Sequence, residues 1–405
     1  MERVKRGIDM GYMDLREDIK AHLYTNIIPF WKGLKDDEYG GYYGLLDFDL
    51  KLDKKAVKGC ILNSRILWFF SNGVTRLKDK ELLPYADHAF AFMKEHCFDR
   101  ENGGVYWSLN YDGSVSDSTK HTYNQAFAVY ALSSYYEAGG KEEARELAFE
   151  LYDIIEGRCR DKGGYLEAFT MDFSPESNEK LSENGVIAAR TMNTLLHVFE
   201  AYTELYRVTG EKKVAEKLKD ILDCFYEEIY HKERHRLEVF FDKDYRSLID
   251  LHSYGHDIEA AWLIDKGMDV LKDVVDKETK EKIAFMTKDI AQNVFRLAYD
   301  GNSLVCENED GVDNKLRIWW VQCEAMIGFY NEYQKDNSKK EYADGAKAIW
   351  GYVKEFIVDK RPGSEWLSEV DEKGVPVTRK PIVEPWKCPY HNGRMCYEMI
   401  ERIEA

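Results

Sequence analysis

The sequence predicts an all-α chain folded as an (α/α)6 barrel, a double-layered α/α toroid with short β-hairpins in its loops. Three observations predict it. Apolar residues recur at helical spacing in about twelve long segments. Those segments run roughly 16–22 residues, or about 24–33 Å at 1.5 Å per residue, which suits inner and outer helices alternating along a double-layered toroid, and no β/α alternation competes. Paired glycines heading aromatic stretches return 63 and then 60 residues apart, so the unit is two helices plus a glycine-led turn. Such a unit cannot bury its apolar faces alone and must stack on its neighbours. Six units close a ring.

Taken in order, the first helix is expected over about 14–32. The stretch Asp37-Glu38-Tyr39-Gly40-Gly41-Tyr42-Tyr43 then leads to helices over 59–78 and 80–97. Asn102-Gly103-Gly104-Val105-Tyr106-Trp107 precedes 121–138 and 141–157, and Lys162-Gly163-Gly164-Tyr165-Leu166 precedes 188–208 and 211–229. The remaining helices are expected over 255–275, 278–297, 318–335, 339–356 and 390–403. The linkers 231–251, 299–316 and 359–389 are longer and carry strand-like fragments such as Leu237-Glu238-Val239-Phe240-Phe241. Long ordered loops on one end of a scaffold are where function gathers. Five of the eight prolines lie between Pro362 and Pro389, so that linker is ordered by restricted backbone. No low-complexity tract or boundary interrupts the chain, which reads as a single domain over 1–405 and as a monomer.

Composition narrows the function. The 405 residues carry 57 Lys+Arg against 74 Asp+Glu, a net charge of −17 that repels phosphate backbones and anionic membrane surfaces. Nucleic acid and membrane are therefore not expected as partners. The first 18 residues lack the apolar core of a signal peptide, and no stretch approaches the ~20 apolar residues of a membrane span, which points to the cytoplasm. The eight cysteines are scattered without a C-x-x-C pair and read as reduced thiols. No dinucleotide fingerprint, Walker loop or nucleophile elbow is present, so a cofactor-free acid/base enzyme remains.

Four constellations carry candidate chemistry. In His252-Ser-Tyr-Gly-His256-Asp-Ile-Glu259, helical spacing puts residues 252 and 256, and 256 and 259, on shared faces, where a carboxylate one turn from an imidazole fixes its tautomer. A zincin would need glutamate where Ser253 stands, and no metal is expected. In Glu384-Pro-Trp-Lys-Cys-Pro-Tyr-His391-Asn-Gly-Arg394, His391 sits at a helix start, where the dipole disfavours imidazolium and leaves a neutral proton acceptor. His197 follows Asn193 by one turn on an apolar helix. Arg65 lies on another apolar helix, and a buried guanidinium there must either hold substrate hydroxyls or balance a carboxylate such as Glu259. Tyr123, Trp319, Trp320, Trp366 and Trp386 accompany these groups, and a pocket mixing indoles with Arg, Asn and His suits the C–H faces and hydroxyls of a sugar. Which of Trp319 and Trp320 faces the cavity is left open.

At these residues the chain resembles the N-acylglucosamine 2-epimerase family, most specifically in Trp386-Lys-Cys-Pro-Tyr-His-Asn-Gly-Arg394, and over nearly its whole length. The resemblance implies the (α/α)6 barrel and, among the family's activities, cofactor-independent 2-epimerisation of the reducing-end glucose of a β-1,4-linked disaccharide. It implies His256 and His391 as the acid/base pair, with Glu259 tuning His256. It also implies Arg65, Asn193 and His197 as substrate-binding positions, with Tyr123, Trp319, Trp320 and Trp386 lining the subsites. Other family activities, N-acylglucosamine or mannose 2-epimerisation and aldose–ketose isomerisation, share the same histidines. An α/α toroid also hosts glycoside hydrolysis or protein binding, but hydrolysis needs paired carboxylates, and the sequence offers one clear glutamate.

Overall fold

The computed structural model describes residues 10–181 and 184–404. Twelve helices among them alternate between two kinds. One kind is apolar nearly all round: every residue of Cys60–Gly73 and of Thr122–Tyr135 is buried. The other buries a single stripe, as in Lys212–Cys224, where Val214, Ala215, Leu218, Ile221 and Leu222 face inward and the rest is solvated. A helix buried on all sides belongs to an inner layer and a striped one to the outer layer. The inner helices are Cys60–Arg76, Thr122–Gly139, Met192–Thr209, Tyr254–Val270, Trp319–Lys335 and His391–Glu404. Each packs on the next, and the last packs back on the first, closing the ring.

Every inner helix but the last is entered directly from a short strand, and each strand pairs antiparallel with the following linker. Lys58–Gly59 pairs with Ser108–Leu109, Lys120–His121 with Ala168–Phe169, and Arg190–Thr191 with Phe240–Phe241. Leu251–His252 pairs with Glu307–Glu309, and Arg317–Ile318 with Glu369–Val370. A bridge from Val383 to Leu46 joins the sixth linker to the first. All six inner helices therefore start from one rim.

The glycine pairs mark the turn that opens a linker. Gly40, Gly41, Gly103 and Gly104 all adopt positive φ, which a side chain resists. An inner-helix amide clamps the turn from beneath. Gln125 accepts from the Val105 N–H at 2.7 Å and donates to its carbonyl at 2.8 Å, and Gln322 does the same at Leu304. A Cβ on Gly104 would meet that Gln125 amide at 2.9 Å and the Phe173 ring at 2.8 Å. Buried ion pairs recur with the repeat, Lys58 to Asp36 at 2.6 Å and Lys120 to Asp99 at 3.0 Å.

The expected helices are present with three differences. The segment 188–208 begins its helix only at Met192, because Arg190 and Thr191 belong to a rim strand. The helix expected over 255–275 ends at Val270. Three outer helices close on a π-helical turn, Met93–Cys97, Phe225–Ile229 and Val353–Ile357, and the first carries one internally at Leu23–Ile27 before resuming over Ile28–Gly33, a feature for which apolar spacing carries no signal.

Candidate active site

The first two turns of the six inner helices converge at the rim and carry nearly every candidate residue. His391 is the first residue of its helix, and its Nδ1 lies 2.7 Å from Glu324 Oε1. Burial holds this imidazole well below the ordinary histidine value. Glu259 opposes that shift, whereas Arg394, Arg65 and His197 add to it. The neutral His391 expected from the helix dipole is thus neutral chiefly through desolvation.

His256 lies in the first turn of its own helix, with Nδ1 2.7 Å from the Ser253 hydroxyl. The Trp320 ring sits 4.8 Å from the His256 ring and 5.5 Å from that of His391, so one indole touches both imidazoles. Trp319 is buried, its ring meeting His391 edge-on at 5.3 Å and Lys387 over its face at 4.6 Å. The indole spanning the two histidines is therefore that of Trp320.

Arg65 donates to the Tyr123 hydroxyl at 2.9 Å and to the Trp386 carbonyl at 3.4 Å, with its guanidinium 4.2 Å over the Phe127 ring. Its Nε is buried with no hydrogen-bond partner. Tyr123 stands edge-on to His197 at 5.0 Å and lies 5.9 Å from Trp386. The Asn193 carbonyl oxygen is likewise buried and unpartnered. Buried polar atoms without partners are costly in the folded protein, and a hydroxyl-rich ligand would satisfy them.

Beneath these groups lies an ionic hub. Arg394, fully buried, donates to Glu200 at 2.6 Å, to Glu324 at 2.8 Å, and to Glu259 and Tyr390 through short contacts. Glu200 also accepts from the Tyr390 hydroxyl at 2.5 Å and faces His197 Nδ1 at 2.9 Å. Burial pushes the Glu200 carboxyl up, but Arg394 and His197 outweigh it and hold the group well below the usual carboxylate range. Glu324 is pushed up by burial against the pull of Arg394, and it also accepts from Trp262 Nε1 at 2.9 Å.

This arrangement corrects three expectations. Glu259 does not back His256. It binds Arg394 and lies 4.0 Å from His391, while His256 is held by Ser253. His252 does not join their helix face, because it sits on a rim strand and pairs with Asp257 at 2.9 Å. Arg65 does not balance Glu259, whose charge is already met. The site also contains three glutamates rather than one. All three are committed to one guanidinium, which leaves no carboxylate free for the paired roles of hydrolysis.

Glu259, Glu324 and His391 bring potential ligand atoms within 4.8 Å of one another. Arg394 already supplies the positive charge there and occupies the carboxylate oxygens that would bind a cation. The donor set therefore suits an internal ion pair better than a metal.

Comparison with known proteins adds the kinship of this site. A family described as N-acylglucosamine 2-epimerase (GlcNAc 2-epimerase) matches residues 40–392. The chain belongs to the N-acylglucosamine 2-epimerase family. It is 49% identical over 402 residues to the cellobiose 2-epimerase of Eubacterium cellulosolvens, covering 95% of this chain and 98% of that protein. Its fold superposes on a cellobiose 2-epimerase from Bacillus thermoamylovorans with TM-score 0.92 at 45% identity, covering 96% of this chain and all of the other. A sugar epimerase from a ruminal bacterium gives TM-score 0.93 at 48% identity, covering 96% and 99%. The family and the toroid expected from the sequence are both borne out. Among the described residues, no helix is long and apolar enough to cross a membrane.

Within this family frame, sequence reasoning named Arg394 as part of a motif without giving it a role, and passed over Glu200 and Glu324. The signals were present. Glu200 stands three residues after His197, on the same helix face, and Glu324 is the charged residue in a largely apolar run after Trp319-Trp320. A carboxylate on an all-buried helix requires a partner, which spacing within that helix cannot name.

Proposed function

We propose that the chain is a cofactor-independent epimerase acting at C2 of the reducing-end glucose of β-1,4-linked disaccharides, converting cellobiose to glucosyl-mannose and lactose to epilactose. The observation carrying this reading is the placement of two imidazoles against one indole. His256 and His391 both contact Trp320, so two nitrogen bases from different inner helices are gathered at one indole, as proton exchange at a single sugar carbon requires. The activity of relatives of nearly equal length supports the substrate class.

In this reading the C2 proton becomes removable once the ring opens and C1 is a carbonyl, because the carbanion is then delocalised as a cis-enediolate. One histidine withdraws the proton and the other returns one to the opposite face. Arg65, with its unpartnered Nε, and Asn193, with its unpartnered carbonyl, hold sugar hydroxyls or the developing oxyanion. Tyr123, His197 and Trp386 line the pocket beside them, and Trp319 backs His391. The whole chain acts as one catalytic domain and as a monomer on a small disaccharide. Its eight free cysteines suit a cytoplasmic compartment.

The test is incubation with cellobiose, lactose, mannose and N-acetylmannosamine in deuterated water, followed by proton NMR. Deuterium at C2 of a new epimer is the expected result. A ketose product would instead make the protein an isomerase, and free glucose from cellobiose would make it a hydrolase.

A further inference from the structure

We propose that Glu200 is a positioning residue, one that fixes the imidazole of His197 with a proton on Nδ1 and leaves Nε2 for the sugar. The inference rests on the epimerase reading above and assigns work within that site.

Glu200 is buried and receives three groups. Tyr390 donates its hydroxyl at 2.5 Å, Arg394 donates an N–H at 2.6 Å, and His197 Nδ1 stands at 2.9 Å. An ionised carboxylate can only accept, so the His197 nitrogen that faces it must be the one carrying hydrogen. With Nδ1 committed to Glu200, Nε2 is the ring nitrogen His197 retains for a ligand. A sugar hydroxyl meeting His197 is thereby directed to Nε2.

The carboxylate cannot swing away. Arg394 bridges it to Glu259 and Glu324, and Tyr390 holds it from the side of the last inner helix. His197 is flanked by the Tyr123 ring at 5.0 Å and the Phe127 ring at 4.8 Å, which limits rotation of the imidazole. Glu324 meets His391 Nδ1 in the same fashion at 2.7 Å. Two histidines from different helices are thus backed by carboxylates that share one guanidinium, while His256 is backed by a neutral hydroxyl.

The alternative is that Glu200 only neutralises Arg394. A double-mutant cycle separates the two roles. Glu200→Gln, His197→Gln and the double variant are assayed for cellobiose epimerisation, with far-ultraviolet dichroism and melting temperature confirming the fold. Glu200→Gln is expected to lower kcat roughly tenfold to a hundredfold, the range for carboxylates that orient an imidazole from behind. KM is expected to stay within about twofold, and no further loss is expected in the His197→Gln background. Losses that multiply in the double variant, or an unchanged kcat in the single one, would overturn the proposal. Nitrogen-15 NMR of the imidazoles in the unaltered protein, assigned with His197→Gln, gives an independent reading. Nδ1 of His197 is expected to carry hydrogen, and a neutral ring protonated on Nε2 alone refutes the assignment. Absence of epimerase activity in the unaltered protein would defeat the functional reading alone, because the NMR arm does not depend on turnover.

Discussion

Replacing Arg394 by methionine removes the cation that Glu200, Glu259 and Glu324 share, while leaving a flexible apolar chain in its place. Removing one partner of a buried ion pair typically costs about 3–5 kcal/mol, because the opposite charge is left uncompensated. With an unfolding entropy of roughly 2 cal/mol/K per residue, a chain of this length loses on the order of 4–6 °C in melting temperature for that cost. The pH dependence identifies the cause. In the unaltered protein the Glu200 carboxyl is held below its unfolded value, so its contribution is present above the unfolded pKa and is lost as pH falls through the folded one. In the variant the sign reverses. Buried carboxyls without a counter-charge rise above their unfolded values, and their penalty is greatest at alkaline pH and relieved as they take up protons. Differential scanning calorimetry at pH 8 and pH 5 should therefore show a wide gap between variant and parent that narrows on acidification. A gap independent of pH, or none at pH 8, would show that the hub is not the charge balance described.

Three further outcomes are expected. His256→Ala and His391→Ala should each cut kcat by about a hundredfold or more with the melting curve little changed, since general acid/base groups contribute roughly 10²–10⁴. Substantial residual turnover in either would reject their pairing. Trp320→Ala should lower turnover and raise KM together, because the indole touches both imidazoles, and an effect on KM alone would reduce it to a subsite wall. Glu167 is fully buried and pushed up to about 7 by burial, with bonds from the Thr194 hydroxyl at 2.6 Å and the Thr191 N–H at 2.7 Å only partly opposing. Its folded pKa lies above the unfolded one, so its contribution is lost as pH rises through about 7. Glu167→Gln should then stabilise the protein at pH 8 by of order 1–3 kcal/mol and leave pH 5 nearly unaffected. Equal melting shifts at both values would contradict this.

The fold was legible because its code is local. Apolar spacing along each helix and the glycine pairs every sixty or so residues come straight from the chain, and the rim turns they mark need positive φ at Gly40, Gly41, Gly103 and Gly104. Candidate residues on the first turns of inner helices were legible for the same reason, each being a polar interruption of an apolar run. Their partners were not. Glu324 meets His391 across 67 positions, and Glu259 meets Arg394 across 135. Helical spacing suggested Glu259 for His256, but that carboxylate meets the Arg394 guanidinium of the last inner helix instead. Such pairings are set by how six helices face one another, and no window of one helix contains them. The π-helical turns escaped for a related reason, since one residue's slip in register leaves the apolar pattern intact.

The strand pairs at the rim work as a hoop around the staves. Each ladder lies between an inner helix and the tip of the next linker, and the tips, such as Asp112-Gly113, Asp310-Gly311 and Glu372-Lys373-Gly374, project beyond it. Insertions or exchanges at a tip leave the hoop and the histidines on their helices unmoved. Sequence in this lineage is thus free to drift at the tips while the inner-helix side chains of the candidate site stay in place.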